Sequence, residues 1–477
     1  MWMFGGGSAQ AVLKIIILMV LSRLLTPTDF GVVAAALTVV ALAEVFGKIG
    51  VAPSIVQVEA LTDEHIRTGN LTTLVSGILV GGIVFLLAHP LGRLYAIDEL
   101  PLIIQVFAAI FVIRAVGLVP EALIQRELGF RNLAIILVFS YLLGYAAVAI
   151  VLAWFGWGVW ALVIAQMVQA VLQSAMSIHM AGYRVGMGYD GTKFRQMLRF
   201  GLGTTLTQIG NYAALNVDYL IVGRMMGAAP LGLYSRAYLL LSQPANIVGN
   251  MADKVLFPVL SSVQKDLPRI ERAYNATLGL TAITQVPLSA LLCIYGPEVV
   301  AVLMGDQWDA AILPFQIMVC ALFFRTAYKF TSTVLRAMGK VYHAAALQWI
   351  YAVMVAIGAF VGVRYGLAGV AVGTSIAVVL CFLNGTLMLS RVFGLSAARG
   401  QIAILRHGAW ALAFAVPLYA LRVVLVEAWE WPALPTLIAG SVAISVLFAL
   451  VALVAPRALG PERDPLFSLF KRVLGKS

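Results

Sequence analysis

Long apolar runs alternate with short polar connections along almost the whole chain. A helix needs about 20 mostly apolar residues to cross a bilayer. The pattern contains fourteen such runs and predicts an all-α integral membrane protein with 14 transmembrane helices. The predicted spans lie near residues 6–25, 30–56, 70–88, 102–120, 132–154, 158–181, 199–222, 231–258, 275–295, 312–334, 341–363, 366–390, 403–425 and 433–454. The connections are too short to hold a folded catalytic module, which argues against a membrane enzyme.

The composition of the 477 residues supports this interpretation, because 62% are hydrophobic and only 11% are charged. Soluble domains carry about 25% charged residues, so a soluble globular protein, a disordered chain and a secreted disulfide scaffold are excluded. The net charge of +11 fits basic loops that face anionic lipid better than it fits nucleic acid. The three cysteines lie in apolar runs, which favours packing over a metal site or disulfide framework. We expect no metal and no cofactor.

Lysine and arginine are distributed unequally between the two sets of loops. If the N-terminus is cytoplasmic, the loops on that side and the C-terminal tail hold twenty of these residues, and the opposite loops hold four. Cytoplasmic loops of membrane proteins carry such an excess. The sequence therefore predicts a multi-pass protein with both termini in the cytoplasm. Apolar residues at helical spacing in 465–477 predict an amphipathic helix at the membrane surface.

The two halves of the chain resemble each other at matching places. RLLTPTDFG at 23–31 opens the second span and RMMGAAPLG at 224–232 opens the eighth, with an offset of 201. Because each repeat has six spans, an even number, both halves enter the membrane from the same side. Such halves form a parallel repeat related by an axis along the membrane normal. The predicted organisation is two six-helix bundles (1–182 and 194–394) that face a central cavity, two extra helices (403–454) and a basic tail (456–477).

Charged residues inside predicted spans are candidates for substrate binding. A charge at the bilayer centre costs about 2.5–3.5 kcal/mol on insertion scales, so it should face a cavity or a partner. Arg325 and Lys329 are four apart on one helix face, where like charges repel, and this spacing favours an anion site; ion pairs with acids on neighbouring helices are the alternative. Arg114 is the repeat mate of Arg325, and Glu121 shares its face. The candidates are Arg114, Arg325, Lys329, Arg236, Lys14 and Lys48.

For some of these charges the pattern leaves two interpretations open. Glu44 and Lys48 are four apart and could neutralise each other, or Lys48 could face the cavity. Arg236 could contact a phosphate or extend to the outer interface. Asp218 ends a polar stripe on the seventh span (Thr204, Gln208, Asn211). It could couple transport to an ion, or it could pair with Arg224 or a nearby lysine.

Four short segments near span boundaries carry a family resemblance. They read SRLLTPTDFG at 22–31, LIQRELGF at 123–130, DYLIVGR at 218–224 and LGLYSRAY at 231–238. The chain resembles the oligosaccharide and polysaccharide flippases over nearly its whole length, and most of all exporters of colanic-acid-like and succinoglycan-like exopolysaccharides. Their superfamily also holds multidrug/toxin exporters and lipid II flippases.

The resemblance implies a flippase of the bacterial inner membrane, not an enzyme. It would move undecaprenyl-pyrophosphate-linked oligosaccharides to the periplasmic leaflet by alternating access, with membrane lipids, a polysaccharide polymerase and export machinery as expected partners. Arginine binds phosphate through two parallel hydrogen bonds and lysine acts as a point charge, which suits this cargo. In lipid II flippases the two extra helices help to form a lipid groove, so residues 403–454 are expected to do so here. The alternative is a cation-coupled multidrug exporter of the same fold, for which the in-span cations are poorly suited.

Overall fold

The computed structural model describes residues 2–47, 50–182, 186–396 and 398–454, and every regular element in these ranges is helical. Nine of the helices described are long and apolar enough to cross a membrane, or ten if one bent pair is a single span. The predicted all-α membrane architecture is confirmed, whereas the count of fourteen spans stays a prediction. Lys48 and the predicted amphipathic helix at 465–477 lie outside the described residues.

The helices form two compact units, one comprising Met1–Ser235 and Leu303–Gln307 and the other Arg236–Val302 and Trp308–Ser477. The predicted division into repeats at 1–182 and 194–394 stays a prediction. In chain order, the first helices are α1 (Trp2–Leu24), α2 (Pro27–Gly47), α3 (Val51–Gln57), α4 (Asp63–Tyr95), α5 (Leu100–Arg126), α6 (Phe130–Phe139), α7 (Val148–Trp154), α8 (Val159–Ala181) and α9 (Gly191–Met226).

The chain continues through α10 (Ala228–Ser262), α11 (Leu267–Ile294), α12 (Gly296–Leu303), α13 (Ile312–Cys320), α14 (Leu322–Ala337), α15 (Val341–Gly362), α16 (Gly366–Phe393), α17 (Ala398–Val423) and α18 (Ala433–Val454). A π-helix at Ser140–Ala147 joins α6 to α7, and a second at Val424–Ala428 extends α17.

Two predicted spans are interrupted. The second span breaks into α2 and α3 near Gly50, which has φ 66°. The tenth span breaks at Ala321 into α13 and α14, which belong to a helix pair bent by 48°. The apolar pattern continues across both breaks, so hydropathy alone gives no signal for them.

Glycines bring α4, α5 and α8 close together in the first unit. A Cβ atom at Gly77 would lie 2.7 Å from the carbonyl oxygen of Phe111, and one at Gly81 would lie 2.8 Å from that of Ala108. On the other side of α5, the Ser174 hydroxyl donates to the Ile113 carbonyl at 2.8 Å. Small residues at helix contacts are typical of membrane bundles, because dispersion forces require close approach.

The starts of α2 and α10 pack against each other through a reciprocal contact. A Cβ atom at Gly31 would overlap the carbonyl oxygen of Ala228, and a Cβ atom at Gly232 would overlap that of Pro27. Residues 27 and 228, and residues 31 and 232, are each 201 apart, so the contact is symmetric with respect to the predicted repeat. The two segments on which the internal repeat was inferred are therefore in contact, and all four residues belong to the first unit.

The connection before α9 is closed by Asp190, which caps this helix. Its Oδ1 accepts hydrogen bonds from the backbone N–H groups of Lys193 at 3.1 Å and Thr192 at 2.7 Å. These bonds stabilise the carboxylate and hold the pKa of Asp190 below its usual value.

In the second unit, Tyr295 and Glu298 attach the two last helices to α11 and α12. The Glu298 carboxylate receives a hydrogen bond from Nε of Arg422 at 2.8 Å. The Tyr295 hydroxyl donates to the Leu418 carbonyl at 3.2 Å, and the Tyr295 ring occupies the space of a missing side chain at Gly440. The segment predicted as extra helices at 403–454 therefore belongs to the second unit and packs on its α11 and α12.

Candidate functional site

Arg325 is buried on α14, with 7% of its surface exposed. Its Nη1 donates a hydrogen bond to the hydroxyl of Tyr238 on α10 at 2.8 Å. The guanidinium carbon lies 4.7 Å from the centre of the same ring, within the range of a cation–π interaction. Tyr238 therefore fixes the orientation of the arginine through both its ring face and its hydroxyl.

Lys329 lies one helical turn beyond Arg325 and also contacts α10. Its Nζ donates to Oδ1 of Asn246 at 2.8 Å. A Cβ atom at Gly249 would lie 2.9 Å from Cδ of the lysine, so the glycine provides the space that the side chain occupies. The two adjacent cations on α14 are thus held against one face of α10, all within the second unit. Arg236, on the same helix as Tyr238, is partly buried.

In the first unit, Arg114 forms an ion pair with Glu44 of α2. Both residues line a cavity of about 40 Å³ between α2, α4 and α5, together with Thr73 and Phe111. The suggested pairing of Glu44 with Lys48 remains untested because Lys48 is not described. Arg114 is therefore matched by a carboxylate, whereas Arg325, its predicted repeat mate, contacts the phenol of Tyr238.

Glu121, expected to share a face with Arg114, receives a hydrogen bond from Nε2 of Gln173 on α8 at 3.5 Å. Lys14 is exposed on α1, and its Nζ lies 5.8 Å from the ring centre of Tyr141. Both contacts are within the first unit.

Asp218 is buried near the end of α9, with 3% of its surface exposed. Its Oδ2 accepts a hydrogen bond from the hydroxyl of Tyr234 on α10 at 2.9 Å, and its Oδ1 accepts one from the backbone N–H of Tyr219 at 3.0 Å. Arg224, one of the partners considered from the sequence, is exposed. Of the polar stripe, Asn211 is exposed on α9, and the side chains of Thr204 and Gln208 lie outside the described part.

An apolar cavity of about 600 Å³ opens in the second unit between α11, α13 and α17. Its lining includes Val286, Cys293, Cys320, Leu405 and Leu412. The Sγ atoms of the two cysteines are 3.9 Å apart. The apolar lining suits a hydrocarbon chain, and α17 is the first of the two extra helices.

Sequence reasoning found the charged residues but missed the uncharged ones that hold them. Tyr238 and Asn246 precede Arg325 and Lys329 by 87 and 83 residues, so no local spacing relates them. Tyr238 lies at the end of the LGLYSRAY segment, which was the one available signal.

The long apolar helices define a polytopic membrane protein, and the solved structures with similar folds agree. The inward closed lipid II flippase MurJ aligns with a TM-score of 0.77 at 14% identity, covering 94% of this chain and 98% of that one. A multidrug resistance MATE family transporter in its inward-facing conformation aligns with a TM-score of 0.65 at 17% identity, covering 83% of this chain and 95% of that one. At these identities the likeness concerns the fold alone.

The family model described as "Polysaccharide biosynthesis protein" matches residues 20–313, and the chain belongs to this family. The succinoglycan biosynthesis transport protein ExoT of Rhizobium meliloti (strain 1021) is 26% identical over 63% of this chain and 60% of its own length. The lipopolysaccharide biosynthesis protein WzxC of Escherichia coli (strain K12) is 26% identical over 68% and 66%. The chain thus spans less than two thirds of these two relatives. The teichuronic acid biosynthesis protein TuaB of Bacillus subtilis (strain 168) is 24% identical over 81% and 80%.

Proposed function

We propose that the protein is a flippase that translocates undecaprenyl-pyrophosphate-linked oligosaccharide repeat units across the bacterial inner membrane for exopolysaccharide or lipopolysaccharide biosynthesis. The family membership supports a role in polysaccharide biosynthesis. The names of ExoT and WzxC refer to succinoglycan and lipopolysaccharide biosynthesis. The transporter, not an enzyme, works by alternating access. Both termini face the cytoplasm, and the partners are the lipid-linked cargo, membrane lipids, a polymerase and the export machinery.

The observation that carries the proposal is the pair of adjacent cations on α14. Arg325 and Lys329 are aligned by Tyr238 and Asn246, and a pyrophosphate offers several oxygens to such a pair. Charge-assisted hydrogen bonds to phosphate are stronger than neutral ones. We assign the headgroup contact to these residues, with Arg236 as a further contributor. The ion-paired Arg114 of the first unit stays a separate candidate for substrate binding. Lys14 and Lys48 stay candidates for contacts with the substrate.

The polyprenyl tail is assigned to lipid and to the apolar cavity between α11, α13 and α17. This cavity is large enough for several isoprene units, since its volume is about 600 Å³. Asp218 is the candidate for coupling transport to an ion gradient, because a buried carboxyl group inside a membrane span is costly and is usually functional.

A cation-coupled multidrug exporter is the alternative, supported by the fold likeness to the MATE transporter and by the buried Asp218. Such an exporter takes cationic compounds, which Arg325 and Lys329 would repel. The two functions predict different phenotypes in cells that lack the protein.

The test is depletion of the protein, followed by measurement of lipid-linked oligosaccharide on each membrane leaflet. We expect accumulation on the cytoplasmic side, with rescue by the wild type and by Arg364→Met, which removes an exposed arginine. Arg325→Met and Lys329→Met at equal expression should each reduce rescue about tenfold or more, since bonds to charged groups contribute about 1.5–3 kcal/mol. Full rescue by both variants would discard the headgroup site. Altered sensitivity to cationic drugs without accumulation would favour the multidrug exporter.

A further inference from the structure

Two tyrosines form a stacked pair in the π-helix at the middle of the segment Phe130–Trp154. The rings of Tyr141 and Tyr145 are parallel to within 15°, and their centres are 5.3 Å apart. Tyrosines of membrane proteins are enriched at the two interfaces, where the hydroxyl reaches water. Tyr145, the nearer of the two to an end of the segment, lies nine residues, or roughly 13 Å, from Trp154. Its position therefore indicates a polar environment inside the span.

The pair lies beside a lysine that is also far from the ends of its helix. Lys14 is exposed near the middle of α1, and its Nζ lies 5.8 Å from the ring centre of Tyr141. Lys14 lies near the middle of the predicted first span, where insertion of a lysine costs about 2.5–3.5 kcal/mol. A cation–π contact at an exposed site returns only about 0.5–1 kcal/mol. The contact with Tyr141 alone therefore does not offset the free energy of placing the charged Lys14 there.

The neighbouring helix adds amide groups to the same region. Gly144, between the two tyrosines, packs on α8, where an added Cβ atom would lie 2.7 Å from Cα of Gln169. Gln166 and Gln169 are three apart along α8, and both are partly buried. A π-helical turn within an α-helix is often found at a functional site. Here it lies against the segment of α8 that carries Gln169.

Together these groups match the surface of a sugar that carries a carboxylate. The faces of aromatic rings attract the C–H groups of a pyranose, because the ring face is electronegative. Amides can donate to and accept from hydroxyl groups. A neutral sugar would not need the lysine, whereas a carboxylate would pair with it.

We propose that Lys14, Tyr141 and Tyr145 form a subsite that binds an acidic sugar of the cargo's oligosaccharide. The subsite lies in the first unit, whereas Arg325 and Lys329 belong to the second. This inference rests on the proposed function, because it identifies the class of sugar that the flippase selects. Tyr145, which is partly exposed, contacts the ring of the sugar, and the buried Tyr141 supports Tyr145 through the stack. The lysine discriminates between acidic and neutral residues.

The test is a binding titration of the purified full-length protein by saturation-transfer NMR. The probes are a glucuronic acid–glucose disaccharide, the matching glucose–glucose disaccharide and inorganic pyrophosphate. We expect the wild type to prefer the acidic disaccharide. Lys14→Met should lower its affinity about tenfold, the scale of one charge-assisted hydrogen bond, and leave the neutral disaccharide unchanged. Tyr141→Leu should weaken both disaccharides, whereas Tyr141→Phe should bind them as the wild type does. If Tyr141→Leu fails to fold, Tyr145→Leu provides the same comparison.

The outcomes separate the sugar subsite from the headgroup site. Loss of the preference in Lys14→Met, with pyrophosphate binding retained, supports the subsite. An undiminished preference in Lys14→Met, or a wild type without preference, overturns it. A loss of pyrophosphate binding in Lys14→Met also overturns it, because Lys14 would then contact the headgroup. Pyrophosphate binding that survives Arg325→Met contradicts the headgroup assignment alone and leaves the sugar result intact.

Discussion

At the scale of single residues, the geometry of Arg325 depends on Tyr238. A buried guanidinium loses hydration, and the hydroxyl and ring face of the tyrosine replace part of it. Tyr238→Phe keeps the ring and removes the hydroxyl, so we expect transport to fall about three- to tenfold, in line with the 0.5–1.5 kcal/mol of a typical hydrogen bond. Tyr238→Leu removes both contacts and should be more severe. The measurement is the initial rate of lipid-linked oligosaccharide translocation in proteoliposomes.

The control for this series is a tyrosine that does not contact the cations. Tyr342 is exposed at the start of α15, so Tyr342→Phe and Tyr342→Leu should both transport at the wild-type rate. Equal rates for Tyr238→Leu and the wild type would show that the orientation of Arg325 is set elsewhere.

Asp218 is the residue at which ion coupling can be tested directly. Asp218→Asn keeps a group that can accept the hydrogen bond of Tyr234 but removes the exchangeable carboxyl proton and the charge. We expect this variant to transport at the same rate with and without an imposed proton gradient, whereas the wild type is accelerated. The measurement is transport in proteoliposomes with defined internal and external pH. Asp309→Asn, which alters an exposed carboxylate, should respond as the wild type does; a gradient response in Asp218→Asn would assign coupling to another group.

At the scale of helices, the contact between α2 and α10 requires glycine at two positions. Gly31 and Gly232 lie against backbone carbonyl groups rather than flexible side chains, so the neighbour cannot move aside without displacing a helix. We expect Gly31→Ala and Gly232→Ala each to lower stability by at least the 1–3 kcal/mol typical of overpacking. The measurement is the melting temperature of the protein in detergent.

Gly82 on α4 provides the matched control, because a Cβ atom there would have nothing within 4 Å. Gly82→Ala should leave the melting temperature unchanged or raise it slightly, since alanine favours the helix. Wild-type stability in both Gly31→Ala and Gly232→Ala would mean that the two helices are not held at this separation.

At the scale of the whole chain, periodic features were predictable from the sequence and long-range pairings were not. Hydropathy located the helices because each span needs a similar length of apolar residues. The offset of 201 anticipated that Gly31 and Gly232 occupy equivalent positions, although not that they are in contact. The ion pair between Arg114 and Glu44 could not be foreseen, because seventy residues separate the two. Lys48, four residues from Glu44, offered this carboxylate a local partner instead. The break at Gly50 was missed because the apolar residues continue on both sides of it.

The predicted orientation of the chain sets which side of the membrane each loop faces. This prediction rests on the loop charges alone. Tyr342 and Tyr365 lie near opposite ends of α15, and their exposed fractions are 89% and 77%. The helix between them is about 33 Å long, close to the hydrocarbon thickness of a bilayer. We expect a membrane-impermeant maleimide added to spheroplasts to label Tyr365→Cys and not Tyr342→Cys, in a background in which Cys293, Cys320 and Cys381 are alanine. Permeabilised cells should label both variants, which controls for reactivity. The reverse pattern would place the basic loops outside and contradict the predicted orientation, because lysine and arginine would then have been translocated against their usual bias.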